Sequence, residues 1–112
     1  MIVEVDFDLA VADNPERHRF EASVDGQPAG YSTYDLGPDR VVFLHTKVKP
    51  EFEGRGVGSR LAKFAVEDVR GRGLRITPVC PFIRAYLKRH REFDSIVDYP
   101  VETAGEERVS SL

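Results

Sequence analysis

The hydrophobic period of this chain changes once, and the change divides its 112 residues into two kinds of structure. Up to Val48, apolar residues mostly recur at every second position. Beyond the glycine-rich stretch Glu53-Gly54-Arg55-Gly56-Val57-Gly58 they recur at the spacing of a helix. The coarse order this gives is β-β-β-β-loop-α-β-α. Such an order predicts an α/β (α+β) fold with a mixed sheet: an N-terminal antiparallel meander, then a loop-α-β-α unit closed by a right-handed parallel crossover.

Residues 2–9 alternate, with Val3, Val5, Phe7 and Leu9 on one side and Glu4, Asp6 and Asp8 on the other. That reads as one half-buried strand with room to extend through Val11 to Asp13, where Asn14-Pro15 breaks it. Residues 19–24 and 29–36 form a hairpin about the Asp25-Gly26 turn. Gly37-Pro38-Asp39 turns the chain into a more buried, β-branched and aromatic strand over 40–48, which Pro50 ends. Residues 57–72 read as a helix, with Val57, Leu61, Phe64, Ala65 and Val69 inward and Arg60, Lys63, Glu67 and Arg70 facing water. Gly71 and Gly73 stop it. A short strand follows over 74–79. Pro81 then opens a helix over 82–90 with Ile83, Tyr86 and Leu87 inward. The expected organisation is one domain over 1–99 and a frayed tail over 100–112.

Composition excludes several functions. With 41% hydrophobic and 31% charged residues the chain is an ordinary globular domain. A net charge of -3 argues against a general nucleic-acid binder. One cysteine forms no internal disulfide, which fits a reducing cytoplasm. No apolar run approaches the ~20 residues of a membrane span. The N-terminus, alternating apolar and acidic, is unlike a signal peptide. Three scattered histidines and one cysteine make no metal site.

The glycine loop carries the clearest chemistry. Glycine lets the backbone approach an anion closely, and the following helix start adds free N–H groups and the positive end of its dipole. The bland reading, a structural strand–helix turn, stands beside it. Gly58 is followed by Ser59-Arg60 rather than the Lys-Ser/Thr of a Walker A loop. Ser59 also stands where the dinucleotide fingerprint needs its third glycine. Arg55, Arg60 and Lys63, with Arg84, Lys88 and Arg89 on the next helix, are available to hold phosphates.

The stretch His45-Thr46-Lys47-Val48-Lys49-Pro50-Glu51-Phe52-Glu53-Gly54-Arg55-Gly56-Val57-Gly58 resembles the acetyl-CoA motif of GCN5-related N-acetyltransferases (GNAT). With Cys80-Pro81-Phe82-Ile83-Arg84-Ala85-Tyr86, it resembles a small GNAT-like subfamily over roughly residues 17–97. Gly56 and Gly58 match the superfamily's Gln/Arg-x-x-Gly-x-Gly/Ala pattern, while Glu53 departs from its first position. The resemblance implies an acyltransferase that moves acetyl from acetyl-CoA to a primary amine on a small molecule or a protein. The alternative is a non-catalytic CoA-binding module. It implies cofactor contacts at Thr46, Lys47 and Val48 on the strand and at Gly54, Arg55, Gly56, Val57, Gly58, Ser59 and Arg60 around the loop. The pantetheine arm would lie where strands 40–48 and 74–79 splay apart. Relative to the superfamily, the chain lacks a helical N-terminal segment and a terminal hairpin, which implies an open acceptor site. Oligomeric state stays open.

Three residues are catalytic candidates, each with a plainer reading. By resemblance, Tyr86 protonates the leaving thiolate; otherwise it is a core tyrosine with a satisfied hydroxyl. Cys80, at a strand end and helix start, accepts the acyl group or is a small buried hydrophobe. His45 takes the amine's proton or hydrogen-bonds across the sheet.

Overall fold

In a computed structural model the described residues, 3–6 and 9–100, build one six-stranded mixed sheet in sequential order. Strands β1 (Val3–Asp6), β2 (Leu9–Asn14), β3 (Arg19–Val24), β4 (Gln27–Leu36) and β5 (Arg40–Val48) pair antiparallel, and β6 (Arg75–Pro78) pairs parallel with β5. Helix α1 (Val57–Gly71) joins β5 to β6, and α2 (Pro81–Arg89) follows.

The sheet corrects one expectation. The alternating N-terminus is two strands, with Val3 opposite Ala12 and Asp6 opposite Leu9, instead of one long strand. Alternation carries no mark of where a strand folds back when no glycine or proline intervenes. Elsewhere the local chemistry acts as expected. Asp25 (φ 51°) and Gly26 (φ 78°) are both left-handed, the turn that matches the twist of a two-residue hairpin. Pro50 cannot donate to a ladder, so β5 stops before it and a short 3-10 turn, Pro50–Phe52, begins. Pro81 takes the first position of α2. The expected tail from 100 lies almost wholly outside the described residues. Ahead of it stands an element with no sequence signal of its own, a 3-10 helix over Arg91–Ile96. It leads to a parallel bridge between Val97 and Ile76.

One core lies between the sheet and the helices. Phe20 is its hub, 5.3 Å from Tyr34, 6.1 Å from Phe43 and 6.0 Å from Phe64, centroid to centroid. The inward face of α1 is wider than the sequence pattern gave, because Ala62 and Val66 are also fully buried. Arg60, expected in water, is half-buried with an inaccessible Nε. Burying a side chain such as Phe43 or Leu61 is worth about 1.5–3 kcal/mol, and Phe43→Ala would cost about 3–5 kcal/mol. Among the described residues no helix is long and apolar enough to cross a membrane.

Candidate functional site

The loop after β5 is shaped by dihedral angles that only glycine adopts easily. Gly54 (φ 80°) and Gly56 (φ 79°) are both left-handed, and a Cβ at either would meet open space. Gly56 caps α1 without any side-chain hydrogen bond. The first bond of the helix runs from Arg60 N to the Gly56 carbonyl, 3.1 Å. The amides of Val57, Gly58 and Ser59 therefore project from the helix start. They open on a cavity of about 350 Å³ whose walls include Thr46, Val48, Phe52, Glu53, Ser59 and Phe82. Gly58 is small for another reason: a Cβ there would stand 2.8 Å from the Phe82 ring.

Two backbone events place the neighbouring side chains. Strands β5 and β6 stay paired as far as Phe43 and Pro78, and Cys80 N donates to the Phe43 carbonyl at 2.8 Å. Beyond that link the chain turns into α2, while β5 runs on to Val48. Its edge from residue 44 has no strand partner on that side among the described residues. The second event is a bulge in β5. Tyr34 faces Phe43 and Thr33 faces His45, so Leu44 is the extra residue. The bulge turns both Leu44 and His45 outward and returns Thr46 to the buried face. There Thr46 Oγ1 shares a hydrogen bond with Ser32 Oγ at 2.9 Å and another with Cys80 Sγ at 3.2 Å. Ser32 is fully buried and Cys80 nearly so.

The residues expected in the site divide. Thr46, Val48, Gly54, Gly56, Val57, Gly58 and Ser59 line the cavity together. Cys80 stands one hydrogen bond behind it, through Thr46. Lys47 and His45 are on the opposite face of the sheet, His45 with its ring 6.4 Å from Tyr31. The Arg55 guanidinium sits 5.7 Å from the centre of the Phe52 ring. Lys63 pairs with Glu67 at 3.8 Å, and Arg84 donates to the Val79 carbonyl at 2.8 Å. Tyr86 is buried and stacked on His90 at 4.0 Å. Burial, and then the charges of Glu67 and Glu92, push its phenol above the ordinary tyrosine value. Phe52, Phe82 and Ser32 were not singled out by sequence. Phe82 sits inside the Cys80-Pro81-Phe82 motif and was legible there, whereas Ser32 carries no local signal. Among the described residues there is no group of three or more metal-ligating side chains.

Comparison with known proteins points one way. A family model described as GCN5-related N-acetyl-transferase matches residues 19–96. Among solved structures, a GCN5-like protein from Staphylococcus aureus superposes with a TM-score of 0.61 at 22% identity, over 82% of this chain and 90% of that one. A ribosomal-protein-alanine N-acetyltransferase from Brucella melitensis gives 0.54 at 15%, over 88% and 67%. The ribosomal-protein-S18-alanine N-acetyltransferase of Escherichia coli gives 0.51 at 21%, over 55% and 41%, so this chain spans about two fifths of that enzyme. At these identities the structural likeness is one of fold. A search of curated proteins gave no match.

Proposed function

This chain belongs to the GCN5-related N-acetyltransferase family, and on that premise we propose that its glycine-loop cavity binds acetyl-CoA for transfer of the acetyl group to a primary amine. The observation that carries the proposal is the pair of left-handed glycines before α1, which leave three helix-start amides free over the cavity. Those amides suit the pyrophosphate, and the dipole adds to their attraction. Thr46 and Val48, on the open edge of β5, suit the pantetheine arm. Bound there, acetyl-CoA supplies an acetyl group activated as a thioester.

The chain's own groups then have two proton tasks. A base must take a proton from the acceptor ammonium, and His45, exposed at the bulge, is the candidate. An acid must protonate the departing sulfur. Tyr86, whose phenol is raised above its ordinary value, keeps its proton at neutral pH as that task requires. Cys80, beside Thr46, is the alternative acyl acceptor, giving transfer in two steps. A reducing cytoplasm suits a free thiol in this role.

Titration calorimetry with acetyl-CoA, CoA and NAD tests the proposal. Binding of both CoA species and not of NAD is expected, with loss of binding in Gly56→Val. Failure of both CoA species would remove the loop from any cofactor role. The deep burial of Cys80 and Tyr86 favours a second reading, a module that binds CoA without turnover. Release of free CoA in the presence of an amine separates the two.

A further inference from the structure

The face of the sheet opposite the helices holds an open groove of about 1090 Å³. Strand register explains its shape. Ala12, Glu21, Tyr31 and Lys47 form one row across β2 to β5, and Asn14, Arg19, Thr33 and His45 form the next. Small side chains at Ala10, Ala12 and Ser23, with Gly30, keep the floor low, while Arg17, Tyr31, Lys47 and Lys49 rise around it. From β2 to β5 is three strand spacings, about 14 Å, or roughly four residues of extended peptide. The volume also exceeds the ~300–1,000 Å³ of most small-molecule sites.

The groove has a charge opposite to that of the whole chain. Arg17, Arg19, Lys47 and Lys49 line it against Glu21 and Glu51, in a protein whose net charge is -3. Arg19 is committed to Glu21 at 2.7 Å and lies over Tyr31 at 4.7 Å, so that pair cancels. Among the described residues Arg17, Lys47 and Lys49 are in no ion pair. Glu21, already held by Arg19, also feels the charge of Arg17, and Glu51 is the other acid of the lining, so the four basic residues outnumber the two acidic ones. The row beside the groove ends at His45, next to the bulge where β5 and β6 part.

We propose that this groove holds an acidic stretch of a polypeptide acceptor, so that the acetylated amine lies a few residues from Asp or Glu side chains. The proposal rests on the acetyltransferase reading and adds the class of substrate. Like-charged protein and a basic acceptor would be disfavoured by the same field.

The test uses short labelled peptides that carry one lysine flanked by Glu, by Gln or by Lys, titrated into the full chain at low salt with and without CoA. The Glu peptide is expected to bind at least about tenfold more tightly than the Gln peptide, and the difference to close near 1 M salt, where screening acts within about 3 Å. Arg17→Glu with Lys49→Glu should abolish the preference and raise KM for the Glu peptide, with calorimetric CoA affinity and melting temperature unchanged. Equal binding of the three peptides, or preference for the Lys peptide, overturns the proposal while CoA binding stands. Sedimentation showing a stable dimer that excludes the peptide gives the groove to a second copy and also overturns it. Failure of CoA itself to bind is a separate result, which removes the acetyltransferase reading and the acceptor role with it.

Discussion

The three glycines of the loop are small for two physical reasons, and substitution separates them. Gly56 needs its dihedral angle: a side chain at φ 79° costs about 1–3 kcal/mol of strain in open space. Gly56→Val should therefore stay folded while the amides it aligns no longer converge on an anion. Gly58 needs room, and its obstacle is the far end of the Phe82 ring, a side chain 38% exposed and able to swing. Gly58→Ala should cost about 1 kcal/mol, the low end for overpacking. The double variant with Phe82→Ala should be more stable than the sum of the single changes allows, as urea titration of all four proteins would reveal. Additive losses would mean that the contact is not what restricts the position. Glu53 is the third case. Glu53 lines the cavity at the position where the motif it resembles has Gln or Arg. Glu53→Gln is expected to tighten CoA binding up to about fivefold, about 1 kcal/mol for an exposed charge; unchanged or weaker binding by calorimetry would show that the carboxylate points away.

At the scale of elements, two polar clusters hold the ends of the secondary structure. Buried Asp13 on β2 accepts from Tyr34 Oη at 2.7 Å and from Arg72 at 2.6 Å, just past α1, and Arg72 also pairs with Asp68 at 2.8 Å. The helix end is thus tied to two strands. Tyr34→Phe leaves the ion pair intact and should cost about 1–1.5 kcal/mol. Asp13→Ala takes the acceptor from the buried Tyr34 hydroxyl and cuts the Arg72 link, leaving Arg72 with Asp68 alone, and should cost about 2–3 kcal/mol. The reverse order in denaturant unfolding would mean that the phenol, and not the carboxylate, holds the cluster. The second cluster fixes the segment after α2. Arg75 donates to both oxygens of Asp98 at 2.6 and 2.9 Å, and Arg40 donates at 3.0 Å. The hydrogen bonds from Arg75, aided by those from Arg40 and opposed by burial, lower the Asp98 carboxyl from 3.8 to about 2. A depressed carboxyl stabilises the folded state above its unfolded value and loses that contribution as pH falls through the folded one. Protection of the Asp98 amide, bonded to the Ile76 carbonyl at 2.8 Å, should therefore decay between pH 3.8 and about 2. Asp98→Asn should remove that dependence in hydrogen exchange.

For the whole molecule, the expectation is that occupancy of one loop is felt everywhere. Ligand at ~100 times its dissociation constant stabilises a fold by about 2.7 kcal/mol, roughly 10 °C in Tm for a domain of this size. Acetyl-CoA should produce that shift in the native chain and none in Gly56→Val. A shift that survives in the variant would put the cofactor elsewhere. Much of this architecture was legible in the sequence, because its signals are local. The Asp25-Gly26 turn, the proline at 50, the glycine loop and the inward stripe of α1 each act within a few residues. Their order alone gave the antiparallel meander, the parallel crossover and the loop over a helix start. The sequence did not give the hairpin between β1 and β2, since period-two alternation looks the same whether a strand continues or folds back. Nor did it give the bulge at Leu44, which depends on how β5 meets β4. Only that pairing decided that Thr46 would join Ser32 and Cys80 on the buried face while His45 and Lys47 would face the open groove. Local chemistry determined the elements and the anion-shaped loop. Which face each strand residue serves is a property of register, and register is settled between strands, beyond the reach of any one segment.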